Sequence, residues 1–285
     1  MVPFVCGKSV KGASHIRARI GCQDSFKNRS LDDGTIILTV ADGHGSASCP
    51  YSKTGSRIAV NVFCKTMEEF GKKYVGDFEK LFAYLRNEGR KNVAQIIHEE
   101  WKRRVLKRHM KSKREDLRLA NGEKDEAGIL KKYGTTLVGL MITPAFWFAF
   151  QIGDGDISYA DSKGFKQVLQ TEKILGTETH SLSKIDCWKQ AKSRVYRQRV
   201  GDISLPFVFI LSTDGFANSH KNEQEFQKTC VDYFAMLNQH GGEAVKANLN
   251  NWLEETSEKG CGDDVTLSMA YFCGETASGK RDNKV

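Results

Sequence analysis

Three Asp-Gly pairs in the sequence follow directly after apolar runs. In the segments IILTVADG, FWFAFQIGDG and FVFILSTDG, the acids Asp42, Asp154 and Asp214 come at the ends of predicted strands. A further acidic pair, Asp263-Asp264, precedes the apolar run VTLSMAYF. Carboxylates that are held close together repel one another unless a cation lies between them, and divalent cations with oxygen ligands are the usual solution. The pattern therefore predicts a metal centre, although each Asp-Gly pair taken alone also fits an ordinary turn.

The types of these side chains indicate which ion and which reaction to expect. An all-oxygen ligand set without clustered His or Cys favours Mg²⁺ or Mn²⁺ over Zn²⁺, and two such ions about 3.5 to 4 Å apart can hold a hydroxide for in-line attack on phosphorus. His44, next to Asp42-Gly43, is placed to protonate a departing alkoxide. Arg19, five residues before Asp24, offers a guanidinium fork to a phosphoryl group. Taken alone, these two residues also fit a loop histidine and a surface arginine.

The elements that must position these residues occur in blocks. Strands are predicted at 9–19, 35–41, within 134–161, at 207–211 and at 265–273, and helices at 54–70, 78–114, 223–238 and 242–258. Because strands and helices are grouped instead of alternating singly, we expect an α+β fold in which helices cover antiparallel sheets. The remaining Asp-Gly pair, Asp33-Gly34, precedes its strand as a hairpin turn would. No repeat or linker divides the 285 residues, so a single domain, 1–285, is predicted.

Composition restricts the classes of function. No apolar run reaches the length of a membrane span or of a signal peptide, so a cytoplasmic protein without membrane contact is predicted. The eight cysteines are scattered without C-x-x-C spacing, which is typical of reduced thiols. Much of the net charge of +8 comes from residues 101–118, where nine Lys or Arg stand against two acids at the end of an amphipathic helix. That segment is either a solvated face or a docking surface for an acidic partner, and no nucleic-acid signature accompanies it.

Six motifs in order carry a resemblance to a known family. They are Arg19...Gln23-Asp24-Ser25, Asp42-Gly43-His44-Gly45, Gly134-Thr135-Thr136, Gly153-Asp154-Gly155, Ser212-Thr213-Asp214-Gly215 and Asp263-Asp264-Val265-Thr266. Each motif is weak alone, but the ordered series, over about residues 10–273, resembles the metal-dependent serine/threonine protein phosphatases of the 2C type. The short opening GASHIRARIGCQDS is more similar to the compact bacterial members than to the eukaryotic ones.

The resemblance implies a fold, cofactors and roles for individual residues. The family fold is a sandwich of two antiparallel β-sheets flanked by helices (α-β-β-α). Two Mg²⁺ or Mn²⁺ ions are implied as cofactors, together with a third ion that binds more weakly. The implied ligands are Asp42 as the bridge between two ions, the carbonyl of Gly43 on one of them, Asp214 and Asp263 on the second, Asp24 on the metals or their waters, and Asp154 on the third ion. Arg19 matches the phosphate-binding arginine of the family, and His44 matches its proposed general acid.

Two positions depart from the family pattern. Gln23 stands where many members have Glu, which removes one negative charge, but an amide oxygen can still accept a hydrogen bond from a metal-bound water. Asp264 stands where Asn is common, so the metal ligand could shift by one residue. Register with the strand that follows favours Asp263 as the ligand.

Two segments carry excess positive charge, and one of them lies beside the predicted site. Residues 171–201 occupy the place of the family's flap without its usual signatures, and we hypothesise that their charge recruits acidic phosphopeptides. The basic residues of this segment are Lys184, Lys189, Lys192, Arg194, Arg197 and Arg199. Residues 86–132 form a basic helical insertion or loop, which is a candidate contact for a partner kinase or its target.

The implied function is hydrolysis of phosphoserine and phosphothreonine in proteins. A hydroxide held between two divalent ions would attack phosphorus, without a covalent phosphoenzyme. Such an enzyme of signal transduction would oppose a Ser/Thr kinase, act as a monomer, and bind neither nucleic acid nor membranes. Two alternatives stay open: a catalytically silent phosphoprotein-binding module of the same fold, and a metal phosphohydrolase that acts on small molecules. The net charge alone leaves a nucleic-acid-binding protein as a third alternative.

Overall fold

Two five-stranded antiparallel sheets face each other in the computed structural model, which describes residues 3–112, 114–169, 180–197 and 205–274. The strands are β1 (Phe4–Val10), β2 (Ser25–Ser30), β3 (Ile36–Ala41), β4 (Leu137–Ile142), β5 (Phe146–Ile152), β6 (Asp156–Asp161), β7 (Gly164–Gln167), β8 (Lys192–Arg197), β9 (Phe207–Ser212) and β10 (Val265–Phe272). The helices are α1 (Ala13–Arg17), α2 (Ser52–Lys73), α3 (Phe78–Glu88), α4 (Ala94–Lys111), α5 (Glu126–Lys131), α6 (Asp214–Asn218), α7 (Glu223–His240) and α8 (Gly242–Lys259). The strand order is β1-β10-β9-β6-β7 in the first sheet and β2-β3-β4-β5-β8 in the second.

The apolar runs of the sequence form the central strands of both sheets. β3, β4 and β9 are buried along their whole lengths, because each has the opposite sheet on one face and helices on the other. Leu38 and Phe209 belong to the core between the sheets. Phe63 of α2 packs on the outer face of the second sheet, and Trp101 of α4 packs behind it on α2. Phe234 of α7 and Leu249 of α8 pack on the first sheet. The predicted α+β sandwich with α-β-β-α layers is confirmed.

The strand predicted at 9–19 is wrong. β1 lies earlier in the chain, its last paired residue is Val10 opposite Val265, and the helix α1 follows it. The chain leaves the sheet at Gly12, whose amide donates a hydrogen bond to Oδ1 of the buried Asp264 at 2.7 Å. A tertiary contact with the other end of the chain therefore overrides the local sequence pattern.

The other long elements are found where they are predicted. The helices predicted at 54–70, 223–238 and 242–258 are α2, α7 and α8, and the stretch at 78–114 forms α3 and α4, joined by a π-helical segment at Gly89–Val93. Asp33-Gly34 forms the turn of the β2–β3 hairpin, where Gly34 has φ of +83° and Oδ1 of Asp33 accepts from the amide of Thr35 at 2.9 Å. The sequence analysis missed the short or polar elements, namely β2, β7, β8, α5 and α6.

Two further observations concern the class of protein. Among the described helices, none combines the length and the apolar composition that a membrane span needs. All eight cysteines are free thiols, and five of them are buried.

Candidate functional site

The residues that follow β3, β5 and β9 line one cavity. Its volume is about 760 Å³, and its walls include Asp42, Asp154 and Asp214 from these three strand ends. His44 also lines it, as does the segment from Ser181 to Asp186 that lies before β8. The structure therefore brings together the three Asp-Gly motifs that the sequence analysis singled out, although they lie in two different sheets.

The Gly134-Thr135-Thr136 motif holds the backbone at Asp42. The Asp42 carbonyl accepts hydrogen bonds from the amide of Thr136 at 2.8 Å and from the hydroxyl of Thr135 at 2.7 Å, and the Asp42 amide donates to the hydroxyl of Thr136 at 3.0 Å. Gly43 is packed so closely that a Cβ would lie 2.7 Å from the carbonyl oxygen of Gln23. The carbonyl of Gly43 accepts no hydrogen bond from the described part of the chain, so it keeps its lone pairs for another ligand.

Burial and mutual repulsion change the acidity of the clustered carboxyl groups. Asp24 is 6% exposed and accepts a hydrogen bond from the hydroxyl of Thr213 at 2.7 Å, yet burial raises the pKa of Asp24 to about 7. Burial also raises the pKa of Asp42 well above its usual range, and the charges of Asp24, Asp214 and Asp263 raise it further. These four carboxylates cannot all be ionised together without a counter-ion, so the donor set fits hard divalent cations.

This electrostatic strain predicts how the metal-free protein responds to pH. The pKa of Asp24 in the folded state, about 7, exceeds its ordinary value of 3.8, so the folded protein binds more protons than the unfolded chain between these values. The stability from this group is present below pH 3.8 and is lost as the pH rises through about 7. With a chelator present, we expect the melting temperature of the wild type to fall over this window more steeply than that of Asp24→Asn. Equal slopes for the two proteins would contradict this reading, and Mn²⁺ added at high pH should restore stability.

Asp263 and Asp264 have different surroundings and therefore different roles. Asp264 is 3% exposed, and its two oxygens accept hydrogen bonds from the amides of Gly12 at 2.7 Å and Gln23 at 2.6 Å. The side chain of Asp263 is half exposed, and its charge raises the pKa of Asp42. Asp264 thus fastens the segment before β2 to the start of β10, whereas Asp263 faces the acidic cluster. Asp263 is not among the residues that line the cavity, and its role as a metal ligand stays a prediction.

The two candidate catalytic residues are placed differently. His44 lines the cavity, and its amide donates to the carbonyl of Gly134 at 3.1 Å. Gly134 lies beside the imidazole, since a Cβ at this position would be 3.4 Å from Nδ1 of His44. Arg19 is exposed, has a positive φ of 56°, and is not among the residues that line the cavity. The phosphate-binding role of Arg19 stays a prediction.

The turn at Asp154 connects the two sheets. Gly153 has φ of +106°, and the side-chain amide of Gln151 donates to the carbonyls of Gly153 at 3.0 Å and Gly155 at 2.7 Å. These bonds fix the backbone on both sides of Asp154, whose side chain faces the cavity. This short turn between β5 and β6 therefore holds Asp154 in a defined position at the cavity.

The flap predicted at 171–201 is described in part. Residues 171–179 and 198–201, including Arg199, lie outside the described residues. Residues 181–186 border the cavity, and the amide of Leu182 donates to the carbonyl of Thr135 at 2.9 Å. Of the flap cations, Lys184 faces the cavity, whereas Arg197 forms a two-bond ion pair with Glu79 on α3 at 2.8 and 2.9 Å.

Sequence reasoning missed two residues of the site. Lys131, at the end of α5, lines the cavity. His15, on α1, lies 2.9 Å from Asp264 and 3.6 Å from Asp263. Lys131 lies three residues before the Gly134-Thr135-Thr136 motif, and this proximity in sequence could have identified it as a site residue. His15 gave no local signal, because it reaches the acids only through long-range folding.

Comparison with known protein families identifies one matching family. The sequence matches the family described as Protein phosphatase 2C over residues 11–254. No curated protein matches the sequence significantly.

The fold is similar to those of bacterial serine/threonine phosphatases. Stp1 from Staphylococcus aureus aligns with a TM-score of 0.60 and 13% identity, covering 96% of this chain and 96% of its own. PstP/Ppp of Mycobacterium tuberculosis aligns with a TM-score of 0.56 and 12% identity, over 96% and 100% of the two chains. The catalytic domain of PstP in complex with two manganese ions aligns with a TM-score of 0.58 and 12% identity, over 96% and 99%. At these identities the structural likeness shows the fold alone.

Proposed function

The chain belongs to the protein phosphatase 2C family of metal-dependent serine/threonine protein phosphatases, and we propose that its strand-end acids form the reaction centre. The observation that carries the proposal is the cluster of Asp24, Asp42, Asp214 and Asp263, in which the pKa of Asp42 is raised by burial and by three neighbouring carboxylates. A cluster of this kind is unfavourable for folding alone and favourable for binding divalent cations. Its substrates are phosphorylated proteins.

We assign the ligands by position in the cluster. Asp42 interacts with all three of the other acids, so its carboxylate would be the ligand shared by the Mg²⁺ or Mn²⁺ ions. The carbonyl of Gly43 would add a ligand to one ion, and Asp214 and Asp263 would bind the other. The manganese complex of PstP, which has the same fold, supports a count of two ions. A third, weaker site would use Asp154.

We propose that Asp24 binds water molecules on these ions instead of binding the ions directly. Thr213 donates a hydrogen bond to its Oδ2, and Thr266 and Asp42 also interact with its carboxyl group, so the side chain of Asp24 is held in place beside Asp42. Asn218 donates a hydrogen bond to Oδ2 of Asp214 at 3.0 Å and so orients that carboxylate in the same way. These second partners fix the ligands before a metal arrives.

Divalent ions bound here would lower the pKa of a water and supply the nucleophile at neutral pH. His44, at the cavity wall, is proposed to give a proton to the serine or threonine oxygen that leaves. Arg19 is proposed to bind the phosphoryl oxygens, which requires its exposed side chain to turn toward the cavity when substrate is present. Lys131 and Lys184 line the same cavity and are suited to contact the phosphate or acidic residues beside it.

The proposal is tested by metal-dependent release of phosphate from a phosphothreonine peptide. Asp263→Asn should lose metal affinity and turnover together, whereas Asp264→Asn, which keeps one acceptor oxygen for a backbone amide, should retain part of both. If Asp263→Asn keeps full turnover at low Mn²⁺ concentration, the ligand assignment is wrong.

The basic segment 86–132 contributes a groove between α2 and α4. The groove has a volume of about 400 Å³. Its walls carry six cations: Arg57, Arg103, Arg104, Lys107, Arg108 and Lys111. Glu100 pairs with Arg103 and Arg104, but Lys107, Arg108 and Lys111 make no ion pair with the described parts of the chain. We propose that this groove docks an acidic segment of a phosphoprotein substrate or of the opposing kinase.

We further propose that the enzyme acts as a monomer in the cytoplasm.

Charge reversal in the groove should affect protein substrates only. Lys107→Glu combined with Lys111→Glu is expected to raise KM for an acidic phosphoprotein about fivefold to tenfold, equivalent to about 1 to 1.4 kcal/mol. The KM for a small aryl phosphate should stay unchanged. The control is Lys228→Glu with Lys246→Glu, which makes the same charge change on α7 and α8. If both double variants raise KM equally, the groove has no specific role.

A further inference from the structure

His15 lies against both acids that precede β10. Its Nδ1 is 2.9 Å from Oδ1 of Asp264, and its Nε2 is 3.6 Å from Oδ1 of Asp263. One ligand atom from each of these three residues lies within 4.8 Å of the others. The side chain of His15, on the short helix α1, is 15% exposed.

The surroundings of Asp264 determine which nitrogen of His15 carries the proton. Asp264 is held in place by the amides of Gly12 and Gln23, and its Oδ1 lies 2.9 Å from Nδ1 of His15 without forming a well-aligned hydrogen bond. The negative charge of this carboxylate beside Nδ1 favours the tautomer with its proton on that atom. The lone pair then lies on Nε2, the nitrogen that faces Asp263. Metal-binding histidines are commonly oriented by such a carboxylate on the nitrogen that does not bind the metal.

The distance between His15 and Asp263 fits two ligands of one ion. Nitrogen and oxygen ligands lie about 2.0 to 2.2 Å from a divalent transition metal, which puts neighbouring ligand atoms about 3 to 3.5 Å apart. The observed 3.6 Å between Nε2 and Oδ1 is close to that range. The simpler alternative is an ion pair between a protonated His15 and the two carboxylates, with no metal at Nε2.

A second observation indicates that something polar belongs beside Nε2. Oε1 of Gln23 is buried and accepts no hydrogen bond from the described residues. A Cβ on Gly45 would lie 3.3 Å from this oxygen and 3.9 Å from Nε2 of His15. The Gln23 oxygen and the His15 nitrogen therefore both lie close to Gly45. A buried amide oxygen without a donor is unfavourable, and a water on a metal ion would supply the donor.

We propose that Nε2 of His15 is a ligand of the divalent ion bound by Asp263, with Asp264 as the residue that orients the imidazole. This inference rests on the proposed metal centre and changes its chemistry from an all-oxygen site to a mixed nitrogen and oxygen site. Imidazole nitrogen strengthens binding of transition metals more than that of Mg²⁺, which prefers oxygen ligands. The site therefore selects Mn²⁺ over Mg²⁺.

The test uses the full chain loaded with Mn²⁺ and pulsed electron paramagnetic resonance. The wild type is expected to show coupling from a directly bound nitrogen, and labelling of histidine with nitrogen-15 should alter that signal. His15→Gln and the shorter His15→Asn should both lose it. His220→Gln is the control, because Nδ1 of His220 lies 2.8 Å from the carbonyl of Phe216, away from the acids. It should keep the signal.

Metal affinity gives a second readout that does not depend on activity. In His15→Gln we expect the Kd for Mn²⁺ to rise about tenfold, while the Kd for Mg²⁺ changes less than about twofold. Mn²⁺ that binds the wild type and supports hydrolysis without nitrogen coupling, or coupling that persists in both His15 variants, would overturn the inference and leave the proposed function intact. Absence of Mn²⁺ binding altogether would overturn both.

Discussion

Asp42→Asn is expected to lower kcat for hydrolysis of a phosphothreonine peptide by at least about 10³-fold, which corresponds to about 4 kcal/mol. Asp42 stands at the centre of the acidic cluster, and the charges of Asp24, Asp214 and Asp263 all act on it. An amide in its place cannot bridge two cations, so both ions should bind more weakly. The measurement is phosphate release at saturating Mn²⁺ together with the Kd for Mn²⁺ by calorimetry.

The same substitution should make the metal-free protein more stable. The pKa of Asp42 is raised by burial and by like charges, so its ionised form opposes folding, and an uncharged amide removes that cost. With a chelator present at about neutral pH, Asp42→Asn should melt at a higher temperature than the wild type. Asp33→Asn is the matched control, because Asp33 is also followed by glycine but caps the β2–β3 turn. Loss of activity together with a lower melting temperature would show that Asp42 is structural.

Asp264→Ala is expected to lower the free energy of unfolding by about 3 to 5 kcal/mol. The carboxylate is buried and accepts hydrogen bonds from the amides of Gly12 and Gln23, which flank α1 and its following loop. Alanine would leave both amides without an acceptor inside the protein. The measurement is urea-induced unfolding in the presence of a chelator, so that metal binding does not contribute.

The neighbouring residue provides the contrast for this prediction. Asp263→Ala removes a half-exposed side chain, so the stability of the metal-free protein should change by less than about 1 kcal/mol. Its affinity for Mn²⁺ should fall sharply. Asp264→Asn, which keeps one acceptor oxygen, should lie between the wild type and Asp264→Ala in stability. If, without metal, Asp263→Ala is more destabilising than Asp264→Ala, then the assignment of a structural role to Asp264 and a metal-binding role to Asp263 is wrong.

Features fixed by local sequence were predictable. The strand ends at Asp42, Asp154 and Asp214 were visible because each acid follows an apolar run that is buried on both faces of a sheet. The helix α2 was visible from the spacing of its buried residues, such as Phe63 and Met67. The Asp33-Gly34 turn was visible because glycine supplies the positive φ that the hairpin requires.

Features fixed by distant contacts were not predictable. The end of β1 depends on a hydrogen bond from Gly12 to Asp264, and the placement of His15 depends on the same pair of acids at the far end of the chain. β8 has the polar sequence KSRVYR, because it is an edge strand that packs little apolar surface. The exposed position of Arg19, with its positive φ, likewise follows from how α1 ends. No local pattern encodes these contacts.

The measurement that tests the account most directly is phosphate release from a phosphothreonine peptide by the wild-type protein with EDTA, Mg²⁺ or Mn²⁺. We expect no release with EDTA and steady turnover with Mn²⁺, because the clustered carboxylates of Asp24, Asp42, Asp214 and Asp263 can act only when cations lie between them. Protein that binds Mn²⁺ at this cluster but releases no phosphate would contradict the account, and turnover that persists with EDTA would contradict it equally.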